Sequence, residues 1–167
     1  NQGMTLPQEL GLVKTAEGVR LTHAPVKELT ALRERTKAFG PVDLAVGAAN
    51  PLSAFESELV ELRVSCDVSA DAVVRLELRG VPVQYDAAKQ ALTIAKHTSA
   101  WPVKDGKLGL IVYVDRTCIE VFSQDGLLYA PVAVIPAAEA RKVSLAVEQG
   151  AAKSMCGEAY ALRSIWR

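Results

Sequence analysis

Side chains able to do chemistry are few and scattered along this sequence. Cysteines stand at 66, 118 and 156, spaced 52 and 38 residues apart, with no Cys-x-x-Cys pair and no histidine placed to complete a ligand set. Zinc sites and disulfide frameworks need closer, paired spacings, so no metal site is expected. Cys66 and Cys118 fall inside strand patterns, which predicts free, buried thiols. His23 and His97 are far apart and read as structural residues. The densest polar group is Asp115-Arg116 with Glu120 just beyond it. Asp-Arg between two apolar runs reads as a turn whose carboxylate accepts local N–H groups and whose guanidinium pairs with a neighbouring carboxylate such as Glu120. The alternative is a polar cluster that holds a ligand or docks a neighbouring domain. Glu120 shares a strand face with Cys118 and Phe122, opposite Thr117, Ile119 and Val121, which predicts a partly covered surface.

The elements that must position these residues follow a period of two. Val60, Leu62, Val64, Cys66 and Val68 alternate with Glu61, Arg63, Ser65 and Asp67, the pattern of a strand with one wet face. Ala72, Val74, Leu76 and Leu78 repeat it, with Arg75, Glu77 and Arg79 outside. Further strands are expected at Leu10–Thr15, Val19–Ala24, Val81–Tyr85, Ala91–Ala95, Lys107–Val114, Thr117–Ser123, Leu127–Val134, Lys142–Glu148 and Glu158–Ile165. Ala16-Glu17-Gly18, Lys104-Asp105-Gly106, Asp115-Arg116 and Gln124-Asp125-Gly126 punctuate them as turns. The one helical stretch is Val26–Arg35, with Val26, Leu29 and Leu32 on one side. The run Arg33–Lys37 reads as its solvated end, and Phe39–Pro51 as a loop holding one short strand. Strands of this length and spacing predict an all-β, two-sheet antiparallel β-sandwich of the jelly-roll or lectin-like kind, one domain over residues 1–167.

Composition bounds the function. Half of the 167 residues are hydrophobic and 23% are charged, which excludes disorder. Lys+Arg and Asp+Glu are both 19, so the basic excess of a nucleic-acid binder is missing. No apolar run reaches the roughly 20 residues of a spanning helix, since Gly126–Ala138 is broken by Pro131 and Pro136, and no membrane partner is expected. Asn1-Gln2-Gly3 has neither the initiator Met nor the basic and apolar regions of a signal peptide, and reads as the start of a mature or excised piece whose compartment is left open.

Three blocks, in order, carry a resemblance. They are Gly3-Met4-Thr5-Leu6-Pro7-Gln8-Glu9-Leu10 followed by Ala24-Pro25-Val26, then Val114–Phe122 closed by Asp125-Gly126, and finally Tyr160-Ala161-Leu162-Arg163-Ser164-Ile165-Trp166. Together they resemble the C-terminal β-sandwich module of glycoside hydrolase family 32, the β-fructosidases that include invertases, levanases and inulinases. The resemblance implies a module that follows a five-bladed catalytic propeller in a longer chain. The propeller's own blocks are missing here: Asn50-Pro51 lacks the nucleophilic Asp, Asp115-Arg116 reverses Arg-Asp-Pro, and Cys156-Gly157-Glu158 is not Glu-Cys. A retaining glycosidase needs two carboxyl groups about 5–5.5 Å apart, and no motif supplies that pair. The expected function is therefore a non-catalytic module that packs on and stabilises a fructan- or sucrose-hydrolysing propeller, with no cofactor. A fructan-binding module is the alternative.

The same resemblance sharpens the residue expectations. Asp115, Arg116 and Glu120 become candidates for sugar binding or propeller docking. Trp101, in a loop-like stretch before Pro102, is the candidate stacking platform, and Trp166 is expected in the core or an interface. Met4, Leu6 and Pro7, where the chain would leave the propeller, are the candidate interface. Its expected partners are the propeller of the same chain, a fructan oligosaccharide, or a second copy in a homodimer.

Overall fold

The computed structural model describes residues 4–165. Thirteen strands lie in chain order: β1 (Gln8–Thr15), β2 (Gly18–Pro25), β3 (Arg33–Ala45), β4 (Val60–Val68), β5 (Val73–Leu78), β6 (Val81–Asp86), β7 (Ala91–Ile94), β8 (His97–Ala100), β9 (Lys107–Val114), β10 (Cys118–Ser123), β11 (Tyr129–Ala133), β12 (Val143–Gln149) and β13 (Ala151–Leu162). All pairings are antiparallel. Six strands form one sheet in the order β11-β10-β9-β4-β13-β3, and five form the other in the order β12-β5-β6-β7-β8. β1 and β2 make a separate two-stranded hairpin.

The alternation read from the sequence decides which faces meet. Val60, Leu62 and Val64 of β4 and Val74, Leu76 and Leu78 of β5 are all buried in one core shared by the two large sheets. Each such side chain contributes about 1.5–3 kcal/mol on leaving water. A second, smaller cluster lies on the outer face of the six-stranded sheet. Ile111, Tyr113 and Phe122 meet Leu29 there, with Leu6, Val26 and Leu32 packed against them. The N-terminal segment and the helical turn thus cover part of a sheet face that would otherwise be wet.

Two expected elements differ. The helix is a 3₁₀ helix over Lys27–Leu32, and it stops because Arg33 is extended and donates its N–H to Thr30 O. Arg33–Lys37 is therefore the start of an edge strand, not a helix end. That strand, β3, continues through Gly40 and Pro41 to Ala45, into the stretch expected to be a loop holding only one short strand. An edge position tolerates the missing proline N–H, and the β3–β13 register shifts near Met155 and Gly157 absorb the irregularity. β8 is exposed throughout and carries no apolar alternation by which it could be read as a strand.

Candidate functional site

The outer face of the six-stranded sheet is built around Glu120. Strand alternation turns it to the same side as Phe122, and it is only 1% exposed. Its carboxylate accepts the N–H of Leu6 at 2.8 Å and the hydroxyl of Tyr129 at 2.5 Å, with the Cys118 thiol at 3.8 Å. No cation pairs with it among the described residues. Burial, reinforced by the bond to Glu120, pushes the Tyr129 phenol well above its usual range. The cover expected over Glu120 is thus supplied by this chain's own N-terminal segment.

Arg116 does not pair with Glu120. The Asp115-Arg116 turn sits at the end of the sheet, where Asp115 accepts the Arg116 N–H at 2.7 Å, as the turn reading expected. The guanidinium then reaches across to Glu58, just before β4, at 2.8 Å, and Arg141 takes the other Glu58 oxygen at 3.0 Å. These two arginines, Arg116 foremost, hold the Glu58 carboxyl down at about 2. β4 pairs with β9 so that Val60 faces Val114, which brings Glu58 to the turn, while Glu120 points to the sheet face instead.

Glu61, which strand alternation places on the wet face of β4, is fully buried. Arg33 and Arg63 both hydrogen-bond it, at 2.5 and 2.7 Å, and the Arg33 guanidinium lies 3.8 Å over the Tyr160 ring. Burial raises the Glu61 pKa, but the two guanidiniums outweigh it and hold the carboxyl below its ordinary value. Alternating charges in β3 and β4 were the available signal; the pairing needed β3 recognised as a strand.

The surface that sequence reasoning missed is the hairpin. β1 and β2 pair Leu12 with Leu21, Leu10 with His23 and Lys14 with Val19, so these side chains share one face. Leu10, Leu12, Val19 and Leu21 are between 47% and 75% exposed. The base of the hairpin is anchored. His23 donates its N–H to Gly126 O at 2.8 Å, its ring stacks on Tyr129 at 5.4 Å, and its Nδ1 lies 2.9 Å from Gln8 Oε1. Gly126 has φ +75°, and a Cβ there would stand 3.1 Å from His23 O, so only glycine lets the hairpin sit this close. Of the expected interface residues, Met4 is 93% exposed and Pro7 is exposed, whereas Leu6 is half-buried against the Tyr113–Phe122 cluster.

Trp101 is not a stacking platform. It is 2% exposed, packed in the main core with its N–H on Gln90 O, so neither ring face is open to a sugar. Trp166 lies outside the described residues. Cys66 is buried as expected and Cys118 half-buried, and burial pushes both thiols up to about 12, far from nucleophilic use at neutral pH. Among the described residues no group of three or more His, Cys, Asp or Glu is arranged to hold a metal ion.

Residues 28–160 match the family described as glycosyl hydrolases family 32 C terminal. The chain belongs to this family. A levanase of Bacillus subtilis is 24% identical over 97% of this chain, which spans 27% of that protein. A fructan beta-fructosidase of Streptococcus mutans is 27% identical over 99% of it, and there the chain spans only 13%. The exo-inulinase of Aspergillus awamori superposes with a TM-score of 0.81 at 19% identity, over 97% of this chain and 36% of that one. A fructofuranosidase from Schwanniomyces occidentalis follows with a TM-score of 0.72 at 12% identity, over 96% and 40%. At these identities the structures establish a shared sandwich fold. A family 32 C-terminal domain is thus a small part of each larger relative.

Proposed function

We propose that this chain is the non-catalytic C-terminal module of a longer β-fructosidase, and that it packs on and stabilises the catalytic propeller preceding it. The observation that carries the reading is the β1–β2 hairpin: a two-stranded sheet with an apolar, exposed face at the N-terminal end of the sandwich. An isolated two-stranded sheet is marginal in water, and an exposed apolar face of this kind marks an interaction surface. Met4 and Pro7 are also exposed, Met4 beside Thr117, Val132 and Ile135 at the other end of β10 and β11, so Met4, Pro7 and the hairpin replace Met4, Leu6 and Pro7 as the docking set. Domain interfaces within one chain bury about 600–1,500 Å², which such a face can supply when a neighbour closes over it. The larger relatives, a levanase and a fructan beta-fructosidase, support fructan as the substrate class of the parent.

The test is a double substitution, Leu12→Lys with Leu21→Lys, in the parent polypeptide and in the isolated chain. In the isolated chain both side chains are already in water, so stability should stay within about 0.5 kcal/mol. In the parent the substitution should uncouple the module, splitting one thermal transition into two. A single unchanged transition in the parent would overturn the reading.

A further inference from the structure

The outer face of the six-stranded sheet also carries a trough that the docking surface does not use. Its floor is formed by the outward residues of β4 and β9, with Ser65 opposite Gly109 and Asp67 opposite Lys107. Its volume is about 490 Å³. A second hollow of about 390 Å³ adjoins it, sharing Ser65 and Gln124 and reaching Arg63 and Glu158. From Arg63 to Asp67 the floor runs ~13 Å at the ~3.3 Å rise of a strand, longer than one monosaccharide ring. Gly109 opens the floor: a Cβ there would stand 2.5 Å from Gln124 Oε1, so glycine lets the amide lie flat across the sheet.

The walls are fixed in place. Gln90 O accepts the Trp101 N–H and Gln90 Oε1 accepts the Val103 N–H, both at 2.7 Å, while Gly106 O accepts the Val68 N–H at 2.8 Å. On the other side, Asp125 Oδ1 accepts the Ser123 hydroxyl at 2.5 Å and the Leu127 N–H at 3.0 Å. The third wall is the irregular stretch of β13, where the register shifts between Lys153 and Cys156 and Ser154 has φ +49°. Bulged strands of this kind re-aim side chains beside binding sites.

The chemistry of the lining selects the ligand. Asp67, Lys107, Gln124 and the Ser154 hydroxyl make no side-chain hydrogen bond or ion pair among the described residues. They offer acceptors, donors and a bifunctional amide. Asp67, Asp105 and Asp125 are interleaved with Lys104 and Lys107, so the trough has no strong field of either sign for an ion. A neutral chain rich in hydroxyls fits that balance. We infer that the trough binds an oligosaccharide, and, resting on the proposed function, that this is a stretch of fructan held outside the catalytic domain. With Trp101 beneath the surface, affinity comes from hydrogen bonds without ring stacking, and it falls in the millimolar range.

The test is a titration of the ¹⁵N-labelled 167-residue chain with an inulin-type tetrasaccharide and a levan-type tetrasaccharide, with maltotetraose as control. Saturable amide shifts at Ser65, Gly109, Gln124 and Ser154 with either fructan are expected, and little response to maltotetraose. Asp67→Ala with Gln124→Ala should weaken binding about tenfold or more, the loss of one hydrogen bond to a charged group, while other amide shifts stay native. No shifts at tens of millimolar, shifts confined to other surfaces, unchanged affinity in the double variant, or an equal response to maltotetraose would each overturn the inference. Leu12→Lys with Leu21→Lys leaves this titration unaltered, so a failure of the trough and a failure of docking are separately visible.

Discussion

Replacing Glu120 with alanine asks what holds the N-terminal segment on the sandwich. The carboxylate is buried and has two oxygen- or nitrogen-bound donors, the Leu6 N–H at 2.8 Å and the Tyr129 hydroxyl at 2.5 Å. Alanine removes both acceptors. A buried donor left unsatisfied costs about 1–3 kcal/mol. Met4, Thr5 and Pro7 are exposed, so the segment can lift and let the Leu6 N–H reach water. That limits the loss to the charge-assisted bond of the half-buried Tyr129 hydroxyl, which keeps Thr5 and Gln8 near it, plus the packing of Leu6, about 2 kcal/mol in all. For a chain of this length that lowers Tm by roughly 4–8 °C. The opposing effect is the desolvation of the carboxylate, which alanine relieves. Glu120→Gln keeps one acceptor but turns an NH₂ toward a donor, and should fall between alanine and wild type. Urea unfolding reads the stability, and hydrogen exchange at the Leu6 amide reads the latch. A wild-type or higher midpoint with the Leu6 amide still protected would refute the reasoning.

Three further outcomes follow from the geometry. Arg79 is buried and donates to the carbonyls of Glu58, Ala137 and Ala140, with no carboxylate partner among the described residues, so Arg79→Gly, which also suits its φ of 54°, should cost about 2–4 kcal/mol in chemical denaturation. Glu58 has its carboxyl depressed from 4.5 to about 2 by Arg116 and Arg141, so its stabilisation is present above pH 4.5 and is lost as pH falls toward 2; Glu58→Gln should flatten that acid limb of Tm against pH, by a small, salt-sensitive amount because the pair faces solvent. Trp101→Ala should destabilise by about 3–5 kcal/mol as a core deletion, measured by thermal unfolding; a stable variant with altered sugar affinity alone would contradict its placement in the core.

What the sequence made legible was local. β4 and β5 announce their inner faces through strict alternation, and Asp115-Arg116 and Asp125-Gly126 announce turns through residues that bond their own backbone. What it hid depended on which elements became neighbours. β3 was unreadable because its charges and its Gly40-Pro41 pair suit an edge strand but mimic a helix end and a loop. With β3 misplaced, the burial of Glu61 under Arg33 could not be seen. Glu120 was half read: a carboxylate beside Phe122 implied a cover, but only the fold reveals that the cover is the segment at Leu6. The hairpin alternates as any half-buried strand pair does, and nothing local says that its apolar face is left open.

The docking of the β1–β2 hairpin on a preceding catalytic domain is tested most directly by amide hydrogen exchange along Gln8–Pro25, compared between the isolated chain and the parent polypeptide. In the isolated chain the hairpin has open edges and an exposed apolar face, and its amides should exchange readily apart from anchors such as His23, bonded to Gly126. In the parent, docking should slow the amides from Leu10 to Leu21 by about tenfold or more, the equivalent of at least 1.4 kcal/mol of added protection, while β4, β5 and β9 change little. Identical exchange of the hairpin in the two forms would contradict the account.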